Sequence, residues 1–279
     1  MVFIRPTTWA DALTAKAEHP DAVPIAGGTD LMVGLNFGHR PPPALLDLTA
    51  IDELGEWYRD NGSIHIGAGV TYSRVIAELA ADCPGLAIAS RTVGSPQIRN
   101  RATVAGNLGT ASPAGDAHPP LLATGATVEA ASVRGTRLID IDDFYLGVKR
   151  NALAPDELIR SVRVPVRKGP QQFAKVGTRN AMVIAVCSVA VSLDRPQRTV
   201  GTGIGSAAPT PRRSTEAEAI TGELPWEGGP LDPELARRFG ELVAAAAAPI
   251  DDVRGTAAYR NHALAVLARR ALTWAWAEA

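Results

Sequence analysis

The sequence predicts an α+β protein made of two unequal parts. Up to about residue 165, short strand patterns alternate with helical ones, and beyond it three strand candidates precede two amphipathic helices. Residues 165–170 indicate a linker, because two prolines and a glycine interrupt both periodicities. The order of elements in the second part predicts a smaller antiparallel sheet that helices cover on one face.

The first part opens with a predicted helix over Trp9–Glu18. Apolar residues recur four positions apart in this stretch, and Thr7 or Thr8 is placed to cap it. Residues 63–67 alternate polar and apolar side chains, as a half-buried strand does. The other predicted elements are strands at 23–25, 45–48, 127–131, 159–164, 172–176, 184–193 and 199–205 and helices at 30–36, 71–79, 86–92, 233–248 and 256–276.

Composition and charge exclude several classes of function. The 279 residues leave room for a core, and the net charge of −1 gives no electrostatic footprint for nucleic acid or an acidic membrane. Two cysteines are too few for a disulfide framework or a four-thiolate cluster, and the apolar run around Cys187 indicates core packing. Because no apolar run approaches the ~20 residues of a membrane span and no signal peptide is evident, we expect a cytoplasmic protein.

A glycine-rich turn near the start of the chain is the first candidate binding element. Residues 26–30 (Ala-Gly-Gly-Thr-Asp) follow an apolar run that predicts a short buried strand. A turn of small residues lets backbone N–H groups approach an anion, because no Cβ intervenes. The turn alone also fits an ordinary strand-to-helix connection. We expect Thr29 and Asp30 to cap the following helix while they shape an anion-binding nest.

A second segment of small and polar residues follows later in the chain and also predicts an open turn. Residues 103–107 (Thr-Val-Ala-Gly-Asn) and 112–116 (Ser-Pro-Ala-Gly-Asp) combine hydroxyl, amide and carboxylate groups, a set suited to phosphate, ribose and adenine. The two segments together predict a pyrophosphate held between two lobes.

Asp116 is a carboxylate that a pyrophosphate would repel. At roughly 4 Å, two like charges cost about 1 kcal/mol in water and several times more in a drier site. We therefore expect Asp116 at the nucleoside end of the ligand, or beside a cationic partner such as Arg99 or Arg101. An Asx-turn in a loop is the alternative that needs no ligand.

The amino-acid sequence of both segments resembles the FAD-binding (medium) subunits of the molybdenum hydroxylases, the xanthine dehydrogenase and carbon monoxide dehydrogenase group. The resemblance is strongest to the bacterial xanthine dehydrogenase type. The resemblance covers nearly the whole chain. Its motifs occur in family order at residues 3–6, 26–30, 46–48, 95–101, 153–158, 175–179, 207–211 and 250–255. One departure is Ala105, which stands where the family usually has glycine and fits only if its φ is negative.

The resemblance implies a two-lobed FAD-binding domain of the PCMH type at residues 1–168, with lobes at about 1–55 and 56–168, and a C-terminal α+β domain of the CO dehydrogenase flavoprotein type at 169–279. It places the FAD pyrophosphate along residues 24–31. The residues that match cofactor-contacting family positions are Ile25, Ala26, Gly27, Gly28, Thr29, Asp30, Leu31, Val93, Thr103, Gly106, Asn107, Asp116, Ile159, Lys175 and Ile184.

Four of these positions have distinct implied roles. Val93 lies beside the flavin ring and packs without stacking, and Ile159 is an apolar contact near the adenine or ring system. Lys175 approaches the flavin, where a cation near N1–O2 would stabilise the reduced, anionic form. A solvated strand lysine is the alternative for Lys175. Ile184 covers the reactive face of the ring and excludes water.

The resemblance also implies a division of labour among subunits. Hydroxylation would occur at a molybdenum cofactor on a large subunit. Electrons would pass through iron–sulfur clusters on a small subunit to FAD and then to NAD or another acceptor, in a dimer of heterotrimers. The chain would need no catalytic residue of its own, because the isoalloxazine carries the redox chemistry. Thr29 and Asp30 resemble the xanthine, aldehyde and aromatic-substrate branches, so xanthine dehydrogenase is the expected activity.

Two other functions stay open. A self-sufficient flavin oxidoreductase, similar to UDP-N-acetylmuramate dehydrogenase, would need substrate-binding groups and a proton donor in residues 170–279, where the sequence shows no such cluster. A scaffold paralogue that has lost flavin conflicts with the intact glycine-rich segments. The sequence of residues 201–205 (Gly-x-Gly-x-Gly) lacks the spacing and following helix of a dinucleotide fingerprint. His118 completes no metal site with Asp116, and His19, His39, His65 and His262 stand singly.

Overall fold

A small parallel sheet forms the first lobe. The structure, a computed structural model, describes residues 1–38 and 40–279, so His39 lies outside the described residues. The elements of this lobe are β1 (Val2–Ile4), α1 (Trp9–Glu18), β2 (Val23–Ile25), α2 (Leu31–Asn36) and β3 (Ala44–Asp47). The strand order is β1-β3-β2, with both pairs parallel. The Thr8 hydroxyl caps α1 by accepting from the Asp11 amide at 3.1 Å, as predicted.

The second lobe is built on a five-stranded antiparallel sheet with the order β4-β5-β10-β6-β7. Five helices lie between its second and third strands in the chain. After a 3-10 turn at Asp52–Gly55, the elements are β4 (Trp57–Asp60), β5 (Ser63–Gly67), α3 (Tyr72–Glu78), α4 (Pro84–Arg91), α5 (Pro96–Arg99), α6 (Val104–Thr110), α7 (His118–Thr124), β6 (Thr127–Ser132), β7 (Gly135–Asp140), α8 (Ile141–Phe144), β8 (Tyr145–Gly147), β9 (Arg150–Asn151) and β10 (Leu158–Pro165).

One hydrophobic core serves both lobes. Trp9 and Leu46 of the first lobe belong to the same buried cluster as Ile64, Leu108 and Phe144 of the second. Burial of such side chains stabilises each by about 1.5–3 kcal/mol relative to exposure. The lobes are therefore held together by apolar packing, and the space left between them is a fixed feature of the fold.

The C-terminal domain has a three-stranded antiparallel sheet in the order β11-β12-β13. Its elements are β11 (Gln171–Val176), β12 (Cys187–Asp194), β13 (Thr199–Gly205), α9 (Thr215–Glu218), a 3-10 turn (Ala219–Glu223), α10 (Pro233–Ala245) and α11 (Ala257–Ala277). Cys187, Val189 and Val191 pack under α10 and α11 in a second core, which confirms the predicted core position of Cys187. None of the helices in residues 1–38 and 40–279 is long and apolar enough to span a membrane.

The prediction that helices cover one face of this sheet is incomplete. Successive strand side chains point to opposite faces, and Ala190 and Phe173 face helices α4 and α7 of the second lobe. Gly201 and Gly203 allow the close approach, because a Cβ at either would overlap the carbonyl group of Ala123 or Pro119 in α7. The glycines of β13 therefore allow helix α7 to pack closely against the strand. They serve this packing contact and not dinucleotide binding.

Candidate cofactor-binding site

A cavity of about 750 Å³ lies between the two lobes. Its volume is within the range of pockets that hold cofactors. From the predicted set, the lining residues are Ala26, Gly27, Asp30, Leu31, Thr103, Gly106 and Ile159. The structure therefore brings the two glycine-rich segments to one cavity, although about 75 residues separate them in the chain.

The first turn presents a row of free backbone donors. In the described part of the chain, the amide groups of residues 27–31 donate no hydrogen bond to another protein group. Gly28 has φ +71°, in the left-handed region that glycine adopts without strain. Consecutive free N–H groups in such a turn form a concave site for an anion.

The side-chain capping predicted for this turn is wrong. Asp30 occupies the N-cap position of α2, but its φ of −103° and ψ of −51° are helical and its side chain makes no capping bond. The helix begins through the backbone instead, as the Met32 amide donates to the Gly28 carbonyl at 3.0 Å. Thr29 and Asp30 therefore leave the amides of the turn uncapped for a ligand.

The second segment begins helix α6 and is not an open turn. Thr103 is its N-cap, and its hydroxyl accepts from the Gly106 amide at 2.9 Å. The amide of Ala105 precedes the first intrahelical acceptors and stays free, whereas Val104 is fully buried beside the antiparallel bridge between Thr71 and Thr103. Ala105 lies within α6 and lines the cavity, so its φ is negative and alanine replaces the family glycine without strain.

The two segments adjoin each other directly. A Cβ on Gly27 would overlap the carbonyl group of Arg101 and lie 2.9 Å from the Cα of Ala102. Only glycine allows this approach. It sets the free amides of the first turn beside that of Ala105 in α6, and together they can surround the two phosphates of a dinucleotide.

Asp116 and Lys175 meet at the junction with the C-terminal domain. Lys175 Nζ donates to Asp116 Oδ2 at 2.6 Å, to the Thr92 carbonyl at 3.1 Å and to the Val183 carbonyl at 3.3 Å. Thr92 Oγ1 also donates to Asp116 Oδ2 at 3.2 Å. Both charged side chains are 9% exposed. The partner of Asp116 is thus Lys175, and neither Arg99 nor Arg101 as predicted; Arg99 donates to the carbonyls of Val93 and Gly94.

The ionisation of Asp116 reflects its burial. Loss of hydration raises the pKa of this carboxyl, and the charge and hydrogen bond of Lys175 act in the opposite direction. Asp116 Oδ1 is buried and has no hydrogen-bond partner among the described residues. An unpaired buried acceptor is costly, so this atom fits contact with a donor group of a bound ligand.

Val93 and Ile184 add apolar surface at the same junction. Val93 is half-buried and follows Thr92, whose carbonyl accepts from Lys175. Ile184 is 52% exposed and follows Val183, a second acceptor of Lys175. Contrary to the prediction of a strand from residue 184, β12 begins at Cys187, and Ile184 belongs to the loop that precedes it.

The other predicted residues line neither the cavity nor the junction. Ile25 ends β2, and its carbonyl accepts from the Leu48 amide at 2.9 Å. Gly28 and Thr29 shape the turn through their backbone. Asn107 lies on α6, and its side-chain oxygen accepts from the Ala117 amide at 3.4 Å. These residues position the segments that line the site.

His118 is structural. It is fully buried, Tyr145 Oη lies 2.8 Å from its Nδ1, and burial lowers the pKa of the imidazole to about 3. Within residues 1–38 and 40–279, the structure contains no cluster of three or more histidine, cysteine or carboxylate side chains that could hold a metal ion.

The sequence analysis missed several lining residues of the cavity. Lys16, Arg101 and Glu157 line it together with the predicted residues. Arg101 and Glu157 belong to motifs of the family resemblance, and that signal could have identified them. Lys16 carries no such signal, because its place in the wall depends on how α1 packs against β3 and β6.

Two features of the cavity suit FAD. The free amides can bind a pyrophosphate, and the cavity has the size of a cofactor pocket. The unpaired Asp116 Oδ1 lies outside the cavity lining, at the junction with the C-terminal domain. The fold and site together define a two-lobed protein that binds an anionic nucleotide between its lobes.

Comparison with known proteins identifies the family. The family described as FAD binding domain in molybdopterin dehydrogenase matches residues 1–167, and the CO dehydrogenase flavoprotein C-terminal domain matches residues 172–275. The chain belongs to this family of FAD-binding oxidoreductase subunits of the molybdenum hydroxylases.

Full-length relatives support the assignment. The chain is 29% identical to the putative xanthine dehydrogenase FAD-binding subunit of Escherichia coli K12, covering 99% of this chain and 96% of the relative. It is 31% identical to the nicotine 6-hydroxylase medium subunit of Paenarthrobacter nicotinovorans, covering 99% and 97%. A structure of reconstituted CO dehydrogenase from Oligotropha carboxidovorans matches with a TM-score of 0.92 at 29% identity, covering 100% and 98%.

Proposed function

We propose that the chain is the electron-transfer subunit of a molybdenum hydroxylase complex, with one FAD held between its lobes. The observation that carries the proposal is the row of free amides at residues 27–31 beside the free amide of Ala105 at the start of α6. When bound there, FAD would supply the redox centre between the iron–sulfur clusters of a small subunit and an acceptor such as NAD.

The residues of the chain bind and orient the cofactor in this proposal. The amides of the first turn and of α6 would hold the pyrophosphate, and Thr103 fixes the start of α6 through Gly106. The Lys175–Asp116 pair would hold a fixed charge and a free acceptor, Asp116 Oδ1, at the ring end. Val93 and Ile184 would exclude water there. Ile159 would pack against the adenosine side or ring from within the cavity.

The chain would act together with two partners. A large subunit would carry the molybdenum cofactor and a small one the iron–sulfur clusters, in a dimer of heterotrimers. Both described cysteines, Cys83 and Cys187, are buried and unpaired, so they are unsuited to hold a cluster. Xanthine is the proposed substrate of the complex. The sequence Thr29-Asp30 supports it, as does the similarity to a relative named as a putative xanthine dehydrogenase subunit.

Co-purification tests this proposal. The tagged chain should be co-expressed with large and small molybdenum hydroxylase subunits from the same organism, and the product analysed for molybdenum, iron and flavin. We expect one complex that contains all three and oxidises xanthine, whereas the isolated chain transfers electrons only from NADH to an artificial acceptor. Turnover of xanthine by the isolated chain, free of molybdenum and iron, would contradict the proposal.

A further inference from the structure

Lys16 is a buried lysine in the wall of the cavity between the lobes. It is 6% exposed, and its Nζ donates to the carbonyls of Pro20 at 2.9 Å and Ala22 at 2.6 Å. No ion pair of the described residues includes it. An ammonium group has three donors. Two are accounted for, which leaves the third for another acceptor.

The charge of this ammonium group is poorly compensated. Burial lowers the pKa of Lys16, and Asp21 and Asp156 oppose this effect only through longer-range charge interactions. A buried cation without a paired carboxylate depends on the hydrogen-bond acceptors around it. An acceptor atom of a ligand in the cavity would provide the third hydrogen bond of the Lys16 ammonium group.

The position of Lys16 identifies which part of a ligand it can reach. Pro20, Val23 and Pro24 line the cavity beside it, and β2 leads from there to the glycine turn. Gly27 follows Ala22 by five positions, and an extended chain of that length spans roughly 16 Å. One nucleoside together with the reach of a lysine side chain can bridge this separation.

The loop before β10 contributes to the same cavity as Lys16. Leu153, Pro155 and Glu157, from the loop before β10, line the same cavity, whereas Lys175 and Asp116 lie at the junction with the C-terminal domain. Under the proposed function, on which this step rests, the ring lies toward that junction. The adenosine half then faces Lys16.

We propose that Lys16 donates a hydrogen bond to the adenosine half of the dinucleotide, at a purine ring nitrogen or a ribose hydroxyl oxygen, and thereby selects FAD over FMN. FMN lacks the adenosine monophosphate half, so it gains nothing from this donor. Lys16 is a specificity-determining residue and takes no part in electron transfer.

The binding of FAD and FMN to Lys16→Met tests the proposal. Methionine keeps the length of the side chain and removes its donors. A hydrogen bond from a charged donor contributes about 1.5–3 kcal/mol, so the Kd for FAD should rise roughly 10- to 150-fold while that for FMN is unchanged. Lys168→Met, at an exposed lysine outside the cavity, is the matched control and should leave both values unchanged. Equal changes for FAD and FMN, or none, would overturn the proposal.

A measurement on the wild-type protein covers the case in which Lys16→Met fails to fold. The chain has four lysines, so the Lys16 signal among the isotope-labelled lysine ammonium groups can be assigned with Lys16→Arg, which keeps the charge and hydrogen-bond donors. FAD should shift the Lys16 signal, and FMN should not. An unshifted signal, or the same shift with both flavins, would overturn the proposal. A wild-type chain that binds no flavin would contradict the proposed function itself, which distinguishes the two failures.

Discussion

At the scale of single residues, the Lys175–Asp116 pair shows how the C-terminal domain contributes to a site on the second lobe. Lys175 reaches from β11 to the Asp116 carboxylate and to the Thr92 carbonyl. Sequence resemblance marked both charged residues as ligand contacts but could not predict that they bind each other. Their pairing depends on how two separately folded segments meet, which no local pattern encodes.

Removal of the lysine should be strongly destabilising. Lys175→Met leaves a buried carboxylate without its cation, which costs about 3–5 kcal/mol of unfolding free energy. Urea denaturation of the flavin-free protein measures this. Lys175→Met/Asp116→Asn should recover much of the loss, because the unpaired charge is gone. A loss below about 1 kcal/mol, the range of exposed pairs, would contradict the buried pairing.

His118 should make the unfolding free energy depend on pH. Burial lowers the pKa of the imidazole to about 3 from a usual 6.5, so the unfolded chain binds a proton that the folded one does not. The contribution of the neutral His118 side chain to the unfolding free energy is therefore complete above pH 6.5, and it declines as the pH falls toward 3. Between pH 6.5 and 5 the loss should be about 2 kcal/mol.

Urea denaturation across this pH range tests the His118 prediction. His118→Gln keeps an acceptor for Tyr145 and removes the titration, so its unfolding free energy should fall about 2 kcal/mol less than that of the wild type over the same interval. The comparison of slopes holds even if the variant is less stable at neutral pH. Parallel profiles for the two proteins would show that the pKa of His118 is the same in the folded and unfolded chains, which would contradict the prediction.

At the scale of elements, the site depends on two segments that start helices. The turn before α2 and the first residues of α6 supply free amides to one cavity. Periodicity predicted the strand before the turn and the helix after it. It failed at residues 103–107, where glycine, alanine and asparagine suggested an open turn. The Thr103 hydroxyl instead caps a helix through the Gly106 amide.

Gly27 and Gly28 should respond differently to alanine. A Cβ on Gly27 would overlap the Arg101 carbonyl, and such overpacking costs about 1–3 kcal/mol, so the Kd for FAD should rise roughly 5- to 150-fold. Gly28→Ala strains a left-handed φ by about 1–2 kcal/mol, but its Cβ would meet only Ile25 and Met32. It should lower stability more than affinity.

Fluorescence titration with FAD and thermal unfolding separate these two outcomes. Gly222→Ala is the control, because a Cβ there has nothing within 4 Å. If Gly27→Ala binds FAD as tightly as the wild type, the close contact of the two segments does not shape the anion site.

At the scale of the whole molecule, the C-terminal sheet is packed on both faces. Helices α10 and α11 cover one face, and α4 and α7 of the second lobe cover the other. The sequence predicted the strands and the C-terminal helices from their periodicity. It could not predict the second face, because the covering helices α7 and α4 lie about 75 and 110 residues earlier in the chain than β13. The role of the glycines in β13, which is to allow α7 to approach, can be recognised only from that contact.

Gly203→Ala tests this packing. A Cβ at Gly203 would overlap the Pro119 carbonyl in α7, so α7 must shift at a cost of about 1–3 kcal/mol. The melting temperature should fall by roughly 2–4 °C for each kcal/mol. Because α7 follows Asp116 directly, FAD affinity should fall as well. Gly222→Ala again serves as the control, and an unchanged melting temperature for Gly203→Ala would contradict the arrangement.

Reconstitution with FAD tests the central claim most directly. The purified chain, stripped of ligand, should be titrated with FAD and its bound flavin measured by visible absorbance after gel filtration. The account predicts saturation at one FAD per chain, with the flavin released by acid because it is not covalently attached, and a clear loss of affinity in Gly27→Ala. A folded wild-type chain that retains no flavin, or a Gly27→Ala chain that binds it unchanged, would contradict the account.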